Sequence, residues 1–593
     1  MNPFIFHLSN LVLHIFNTLL VFWLVYLLLG KFEIGIIASL LFGLSTLHVE
    51  SVAWISERKD VLYAFFFIFS LVCYVYYLKS NRLKFYFYSL LLFILSLFSK
   101  GQAVSLAITL FAIDYLFERK LFDKKSMLEK LPFLLLAFIF GIIAIKAQQA
   151  GNAIDDGDSY TFYKRIGFAG YAFTQYMIKL LVPFQLSAIY PYPDIINKSI
   201  PAFYWLFIIP SGFVVYAFFY FQKRSKVVTF SIAFFIINIF LLLQLIPVGS
   251  AIWADRYSYI PSIGYYALIA WLIFRVVQNQ NTKKVFIYGL TGIYLIGISY
   301  ASYERCKVWE SSLTLWDDTL KKSPKAVVAW NNRGSIKDKD NKHAEAIRDF
   351  TNAIELKPDY THAFYNRGTA KKNLAEEVKD SALLYSAISD FDYAIKLNHV
   401  FVEALHNRGL ARENLSDYAA TQDHRNSLLL KALEDYNKTI ELNPRYENAI
   451  LNRGVLKGKL GRYDDAIADF NTAIQMTPDS AQAYANRGLA RDFKGDLDGA
   501  LIDYNKAIEL KPTFDKAYYN RGLTYRKMKN YQASISDFSM AINLDPKMSA
   551  AYYFRGLDQI ILNMKEAACK DFEAASKLGY PYARQQIELY CNK

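Results

Sequence analysis

AQAYANRGLARDFKGDLDGALIDYNKAIELKP, residues 481–512, is the stretch from which the fold of this chain is read. It holds two runs of helical periodicity joined at Lys494-Gly495-Asp496, with small residues where two helices would cross and a proline that closes the unit. Its Asn-Arg-Gly recurs at 332–334, 366–368, 407–409, 452–454, 486–488 and 520–522, and Phe-Arg-Gly follows at 554–556. The steps from arginine to arginine are 34, 41, 45, 34, 34 and 34 residues. A helix hairpin of that size cannot bury its apolar face alone, so neighbouring hairpins must stack into a superhelix with a concave face.

A 34-residue period with this pattern is the tetratricopeptide signature. Here an arginine replaces an apolar residue usual in the repeat, and each has an aspartate downstream. The gap is 16 residues for Arg333/Asp349, Arg453/Asp469, Arg487/Asp503, Arg521/Asp537 and Arg555/Asp571. It is 23 for Arg367/Asp390 and 27 for Arg408/Asp435, longer by the same 7 and 11 residues as those two repeats. Both insertions therefore fall between the two helices, and each arginine is expected to pair bidentately with its aspartate. The alternative is a set of solvated charges at periodic positions. Pro324 lies 34 residues before Pro358, so WESSLTLWDDTLKKS, 309–323, reads as a half-repeat, and PYARQQIELYCNK, 581–593, as a polar capping helix. The expected division is a multi-pass membrane domain over 1–303, a connector over 304–324, about seven repeats over 325–580 and the cap over 581–593. Such repeats most often bind protein or peptide segments.

The remainder of the chain is of another kind. Over 593 residues the mean hydropathy is +0.14, with 54% hydrophobic and 20% charged residues. The first 300 residues carry 24 Lys and Arg against 13 Asp and Glu, the rest 43 against 40. Apolar runs near 8–29, 34–50, 61–78, 85–99, 103–117, 131–147, 203–221, 227–247, 260–277 and 285–303 predict about ten spans, since crossing takes roughly 17–25 apolar residues. The weakly apolar stretch 166–183, which includes Lys179, reads as re-entrant or surface-lying. The fold class is thus all-α, a polytopic helix bundle followed by an α-solenoid. Basic loops at 79–84, 118–130, 222–226 and 275–284 are expected on the cytoplasmic side. The loops holding His48, Lys100, Asp155 and Asp255, and everything after 303, then fall outside the cytoplasm. The excess of +14 is concentrated in the half with the orienting loops, which argues against nucleic-acid binding. Composition excludes a disordered chain and a disulfide scaffold, and the four cysteines show no CxxC or metal-ligand spacing.

Polar groups at membrane depth are costly and mark function. HVESVAWISERKD, 48–60, places His48, Glu50, Arg58 and Asp60 at the outer end of the second span. Lys100 follows the fourth span, and Asp255, Arg256 and Tyr257 precede the ninth. Arg58, Lys100 and Arg256 suit a phosphate headgroup, supported by Asp255 and Tyr257. His48, Glu50 or Asp60 suit a general base. Interfacial anchoring and helix capping is the plainer reading of each residue alone. His48 and Glu50 without further ligands argue against a metal, and no cofactor is expected. Asp114 reads as structural, and His7 and His14 as packed on one helix face.

The blocks FHLSNLVLHIFNTLLVFWLVYLLLG, LLFGLSTLHVESVAWISERKDVLYAFFF, SKGQAVSLAITLFAIDYLF, LVPFQLSAIYPYP, WADRYSYIPSIG and VWESSLTLWDDTL occur in that order. Together they resemble the transmembrane and tetratricopeptide-repeat O-mannosyltransferases and their bacterial relatives, on a GT-C-type scaffold. The resemblance implies transfer of mannose or another sugar from a polyprenyl-phosphate donor to protein hydroxyls outside the cytoplasm, with the repeats holding the acceptor. It also implies one helix and an acidic external loop ahead of NPFIFHLSN, where the family's catalytic base lies, and the family often has Lys-Glu or Lys-Pro where this chain has Lys100-Gly101. The alternative function is a membrane-anchored repeat scaffold without chemistry.

Overall fold

The computed structural model describes residues 3–150, 160–193, 199–245, 251–279 and 283–591. The expected external loop with Asp155 lies outside them. All regular elements among the described residues are helical. The fold divides into two compact units, one of 1–341 with 348–358 and the other of 342–347 with 359–593.

The first unit is an apolar helix bundle. Among the described residues each apolar run is wholly or largely helical, from Pro3–Leu29 through Arg58–Ser80, Lys124–Ala150 and Pro261–Asn279 to Lys284–Val308. Six helices among the described residues are long and apolar enough to cross a membrane. A seventh span arises if Phe32–Gly43 and Thr46–Ala53, bent by 47°, count as one. Leu83–Ser99, Gly101–Leu116 and Lys226–Phe240 are apolar but shorter. The stretch expected to be re-entrant or surface-lying is a 20-residue helix, Phe162–Leu181. Its face of Phe168, Ala172, Phe173 and Tyr176 lies in the common core with Leu24, Phe42, Phe67, Leu110 and Phe234. Outward faces stay apolar: Phe138, Ile209, Phe213, Phe219 and Ile293 are exposed, as a hydrocarbon surrounding allows.

Asp114 is held in a buried network. It accepts from Tyr74 (2.8 Å), Arg119 (3.1 Å), Ser126 (3.1 Å) and the ammonium of Lys130. Arg119 also reaches Glu129 at 2.8 Å, so four charges from two helices and the loop between them neutralise one another. His14 lies between the Tyr259 hydroxyl (2.6 Å) and the Gly43 carbonyl oxygen (3.0 Å), which satisfies both ring nitrogens.

Helix Ser312–Lys322 stands where the half-repeat was expected. Trp316 and Leu320 pack on Ala326, Ala329 and Trp330, and Asp317 binds Arg333 at 2.8 Å. In the repeats, the glycine of Asn-Arg-Gly allows helix A to touch the helix B aromatic. A Cβ at Gly454 would lie 2.7 Å from the Phe470 ring, which real contacts do not tolerate.

Each repeat arginine binds its aspartate through two nitrogens. Nε and Nη2 lie 2.8 and 2.7 Å from Asp349 for Arg333, 2.9 and 2.7 Å from Asp390 for Arg367, and 2.9 and 2.7 Å from Asp469 for Arg453. The distances are 3.0 and 2.6 Å for Arg487 to Asp503, 2.7 and 2.7 Å for Arg521 to Asp537, and 2.7 and 2.7 Å for Arg555 to Asp571. Arg408 reaches Asp435 in the same manner at 3.1 and 2.5 Å. The third nitrogen, Nη1, crosses to the preceding helix B: Arg408 to Asp392, Arg453 to Asn437, Arg487 to Asn471, Arg521 to Asn505 and Arg555 to Ser539, at 2.6–2.9 Å. The two insertions lengthen helices more than loops, giving an 18-residue Thr361–Val378 and a 21-residue Gln422–Leu442. Their added turns bury Ala375, Leu384, Leu415 and Leu428 against one another. At the far end, Cys569 and Cys591 form a disulfide that ties helix Ala583–Tyr590 back onto helix Lys565–Lys577.

Candidate functional site

Three breaks in helical structure and one further turn build the site. The second apolar helix stops at Gly43, where a Cβ would lie 2.9 Å from Thr18 of the first helix. The chain resumes in a 3₁₀ turn and the short helix Val49–Ala53, so His48 and Glu50 leave the line of the preceding helix. A second 3₁₀ turn, Ile55–Glu57, leads into Arg58–Ser80 and places Glu57 and Asp60 one turn apart. The third break is at Lys100, extended between helix Leu83–Ser99 and the turn Gly101–Val104. A further 3₁₀ turn, Asp255–Ser258, brings Asp255 and Arg256 to the same place from 206 residues away.

These groups pair acid to base. Glu50, 1% exposed, accepts from the Arg256 backbone N–H at 3.0 Å and from its guanidinium. Glu57 lies 3.8 Å from the same guanidinium and 3.5 Å from the Lys59 ammonium. Asp60 accepts from the Lys100 ammonium. Arg256 lies 5.4 Å from the Trp54 ring and 4.9 Å from the Tyr257 ring, within cation–π reach. Asp255 accepts from the Tyr190 hydroxyl at 2.8 Å and faces Arg305 at 3.9 Å. Burial, then the nearby Glu50 charge, pushes the Asp255 carboxyl up to about 7 against the pull of Arg305. Burial and Asp255 together hold the Tyr190 phenol well above its usual range, so it stays a donor.

Lys100, Asp60, Arg256, Glu50, Asp255 and Tyr257 thus stand in one constellation. Arg58 turns away to Ser9 and the Phe6 ring, 5.0 Å off. His48 is 1% exposed, with Nδ1 on the Phe42 carbonyl oxygen (2.8 Å) and Nε2 on Ser262 (3.2 Å). Both of its ring nitrogens are engaged, and Tyr259 and Phe42 flank the ring at 4.6 Å. Sequence reasoning did not single out Glu57, Tyr190, Arg305 or Trp309. Glu57 sat unranked in a charged cluster, Arg305 followed an apolar run with no motif of its own, and Trp309 figured as the first residue of the half-repeat 309–323. Arg305, 5% exposed, also binds Asp318 at 2.9 Å, and Trp309 lies 5.9 Å from Trp54. Among the described residues no group of three or more His, Cys, Asp or Glu could hold a metal ion.

This arrangement can exchange partners. An anion entering between Lys100 and Arg256 would compete for bases already held by carboxylates, and each base it takes leaves a carboxylate with raised proton affinity.

Family models match the repeats of this chain. Models described as TPR repeat match 458–491 and 494–529, and models described as tetratricopeptide repeat match 327–360 and 515–548. Protein O-mannosyl-transferase F38B6.6 of Caenorhabditis elegans is 27% identical over 383 residues, 60% of this chain and 51% of that protein. Protein O-mannosyl-transferase TMTC3 of Homo sapiens is 30% identical over 145 residues, 23% of this chain and 15% of that protein. The chain therefore matches about half the length of the first relative and much less of the second. Among solved structures, a tetratricopeptide repeat protein from Parabacteroides merdae is 20% identical, covering 45% of this chain and 99% of its own with a TM-score of 0.37. TTC0263 of Thermus thermophilus is also 20% identical, covering 34% and 100% with a TM-score of 0.29.

Proposed function

We propose, from its similarity to protein O-mannosyl-transferases and its tetratricopeptide repeats, that the chain is a membrane glycosyltransferase. It moves a sugar, mannose in the first instance, from a polyprenyl-phosphate donor to protein hydroxyls on the extracytoplasmic face, and the repeats bind the acceptor. The observation that carries this reading is the meeting of Lys100 and Arg256, each with carboxylate partners, at the ends of apolar helices. A lipid phosphate lies at that depth, and two cations there suit its charge. As the acceptor oxygen bonds to the anomeric carbon, the bond from that carbon to the phosphate oxygen breaks. The electron pair leaves on the phosphate, where the two cations stabilise it, and a carboxylate freed from its base receives the acceptor proton.

The basic loops favour an outward-facing site and repeat domain. The Cys569–Cys591 disulfide supports the same side, since such bonds persist in oxidising compartments.

The test is sugar transfer by the full chain from labelled polyprenyl-phosphate mannose to a peptide rich in serine and threonine. Lys100→Ala and Arg256→Ala are each expected to lower transfer by about 100-fold, the size of losing one preorganised charge at a leaving group. Absence of transfer by the wild type, or transfer indifferent to both substitutions, would favour a scaffold without chemistry.

A further inference from the structure

Five buried polar atoms around Arg256 lack a hydrogen-bond partner. They are Ser51 Oγ, Glu57 Oε2, Asp60 Oδ2, Arg305 Nη2 and Trp309 Nε1. Ser51, Glu57, Asp60 and Arg305 are 0, 4, 1 and 5% exposed. Native proteins leave few such atoms, because each costs about 1–3 kcal/mol, more when charged.

They belong to one neighbourhood, Ser51 by standing next to Glu50, which binds Arg256. Arg256 lies 3.8 Å from Glu57 and 5.4 Å from Trp54, and Trp54 lies 5.9 Å from Trp309. Trp309 in turn is 5.9 Å from Arg305, which faces Asp255. Glu57 and Asp60 are one helical turn apart, and Asp60 adjoins Lys100.

The chemistry of the set selects its ligand. Arg305 and Trp309 offer only donors, Glu57 and Asp60 only acceptors as carboxylates, and Ser51 either. A phosphate, which accepts only, would satisfy the donors and repel the carboxylates. A metal ion would satisfy the carboxylates and be repelled by the arginine. A sugar hydroxyl both donates and accepts, so a polyol satisfies all five. Two indole rings at the same place suit the C–H face of a pyranose.

Resting on the transferase reading above, we propose that Glu57, Asp60, Ser51, Arg305 and Trp309 form the subsite for the hydroxyls of the transferred sugar, beside the phosphate position at Lys100 and Arg256. Trp54, 40% exposed, is its outer wall, and admission of the ring requires that indole and the Arg256 side chain to swing outward.

The subsite sets donor selectivity, which gives it a readout that a merely structural role would not move. The full chain is assayed with polyprenyl-phosphate mannose and the matching glucose donor, which differ at one hydroxyl, and with sugar-free polyprenyl phosphate as competitor. The wild type is expected to prefer one donor at least tenfold, and Trp309→Phe, Glu57→Gln and Arg305→Lys each to shrink that preference by about fivefold or more. Inhibition by sugar-free polyprenyl phosphate should stay within about twofold of wild type, which also shows that each variant is folded. Equal loss on both donors with the ratio preserved in all three variants, or a wild type that does not discriminate, overturns the subsite and leaves the transferase reading standing. A wild type that uses neither donor removes that reading itself.

Discussion

Asp503→Ala is the sharpest test of the arginine ladder. The Asp503 side chain is 1% exposed and receives Nε and Nη2 of Arg487 at 3.0 and 2.6 Å, and Nη1 of Arg491 at 2.9 Å. Truncation leaves Nε and Nη2 of Arg487 without their acceptor and Nη1 of Arg491 with only the Gly499 carbonyl oxygen at 3.2 Å. Removing one partner of a buried pair costs about 3–5 kcal/mol. Arg487 and Arg491 keep 16 and 25% exposure, so water relieves part of the loss and the low end, about 3 kcal/mol, applies. Hydrogen exchange of the full chain reads this locally. Because 1.4 kcal/mol is a factor of ten, amides of helices Ala481–Lys494 and Leu497–Leu510 should exchange about 100-fold faster. The effect should spread to Tyr463–Met476, because Arg487 also holds Asn471 at 2.6 Å. Replacing both charges, Arg487→Leu with Asp503→Leu, should recover most of the protection, as apolar isosteres of buried pairs do. An acceleration under about fivefold for Asp503→Ala, equivalent to about 1 kcal/mol, would refute the argument. So would a double variant as unprotected as the single one.

Other outcomes follow from single sites. His406 is buried with Nδ1 unpartnered, and burial, then the Lys372 charge, lowers its pKa to about 4. Its unfolded form takes a proton near pH 6.5 and its folded form does not, so repeat stability should fall between about pH 6.5 and 4, by at most about 3 kcal/mol; His406→Phe should flatten that part of a pH-dependent melting curve. Reducing Cys569–Cys591, which closes a separation of 22 residues, should weaken docking of helix Ala583–Tyr590 by about 3 kcal/mol, seen as selective proteolysis after Lys577. Asp114→Asn removes the carboxylate facing Lys130, both 0% exposed, and should destabilise the bundle by about 3–5 kcal/mol, measured as a lower melting midpoint in detergent. Arg119→Lys should be milder, since Arg119 is 24% exposed.

The repeats were readable because a fixed period carries its own check. A gap of 16 residues sets an arginine on one helix against an aspartate on the next, and the excesses of 7 and 11 leave that register intact. Counting could not say that the added residues extend helices, because that depends on Ala375, Leu384, Leu415 and Leu428 finding one another across two repeats. The cysteines were opaque for a similar reason. Only the docking of the last helix brings Cys569 and Cys591 to a Cα separation of 5.7 Å.

At the site, charges at span ends announced a location but not a wiring. Glu50, Glu57 and Asp60 are equivalent as letters, and the choice among them is made by two 3₁₀ turns and a 47° bend. The bend gives Glu50 to Arg256, the turn before Arg58 offers it Glu57 as well, and the next helical turn gives Asp60 to Lys100. Arg305 was least visible, since its meaning comes from Asp255, Asp318 and Trp309, none adjacent to it in sequence. Its position has a physical consequence. One buried guanidinium joins the loop that carries Arg256 to the connector helix Ser312–Lys322, and Lys322 of that helix binds the Leu186 carbonyl oxygen at 2.7 Å. A displacement of the connector must therefore strain the Asp255–Arg256 turn or break a buried ion pair. The turn that holds Arg256 is mechanically continuous with the connector helix Ser312–Lys322.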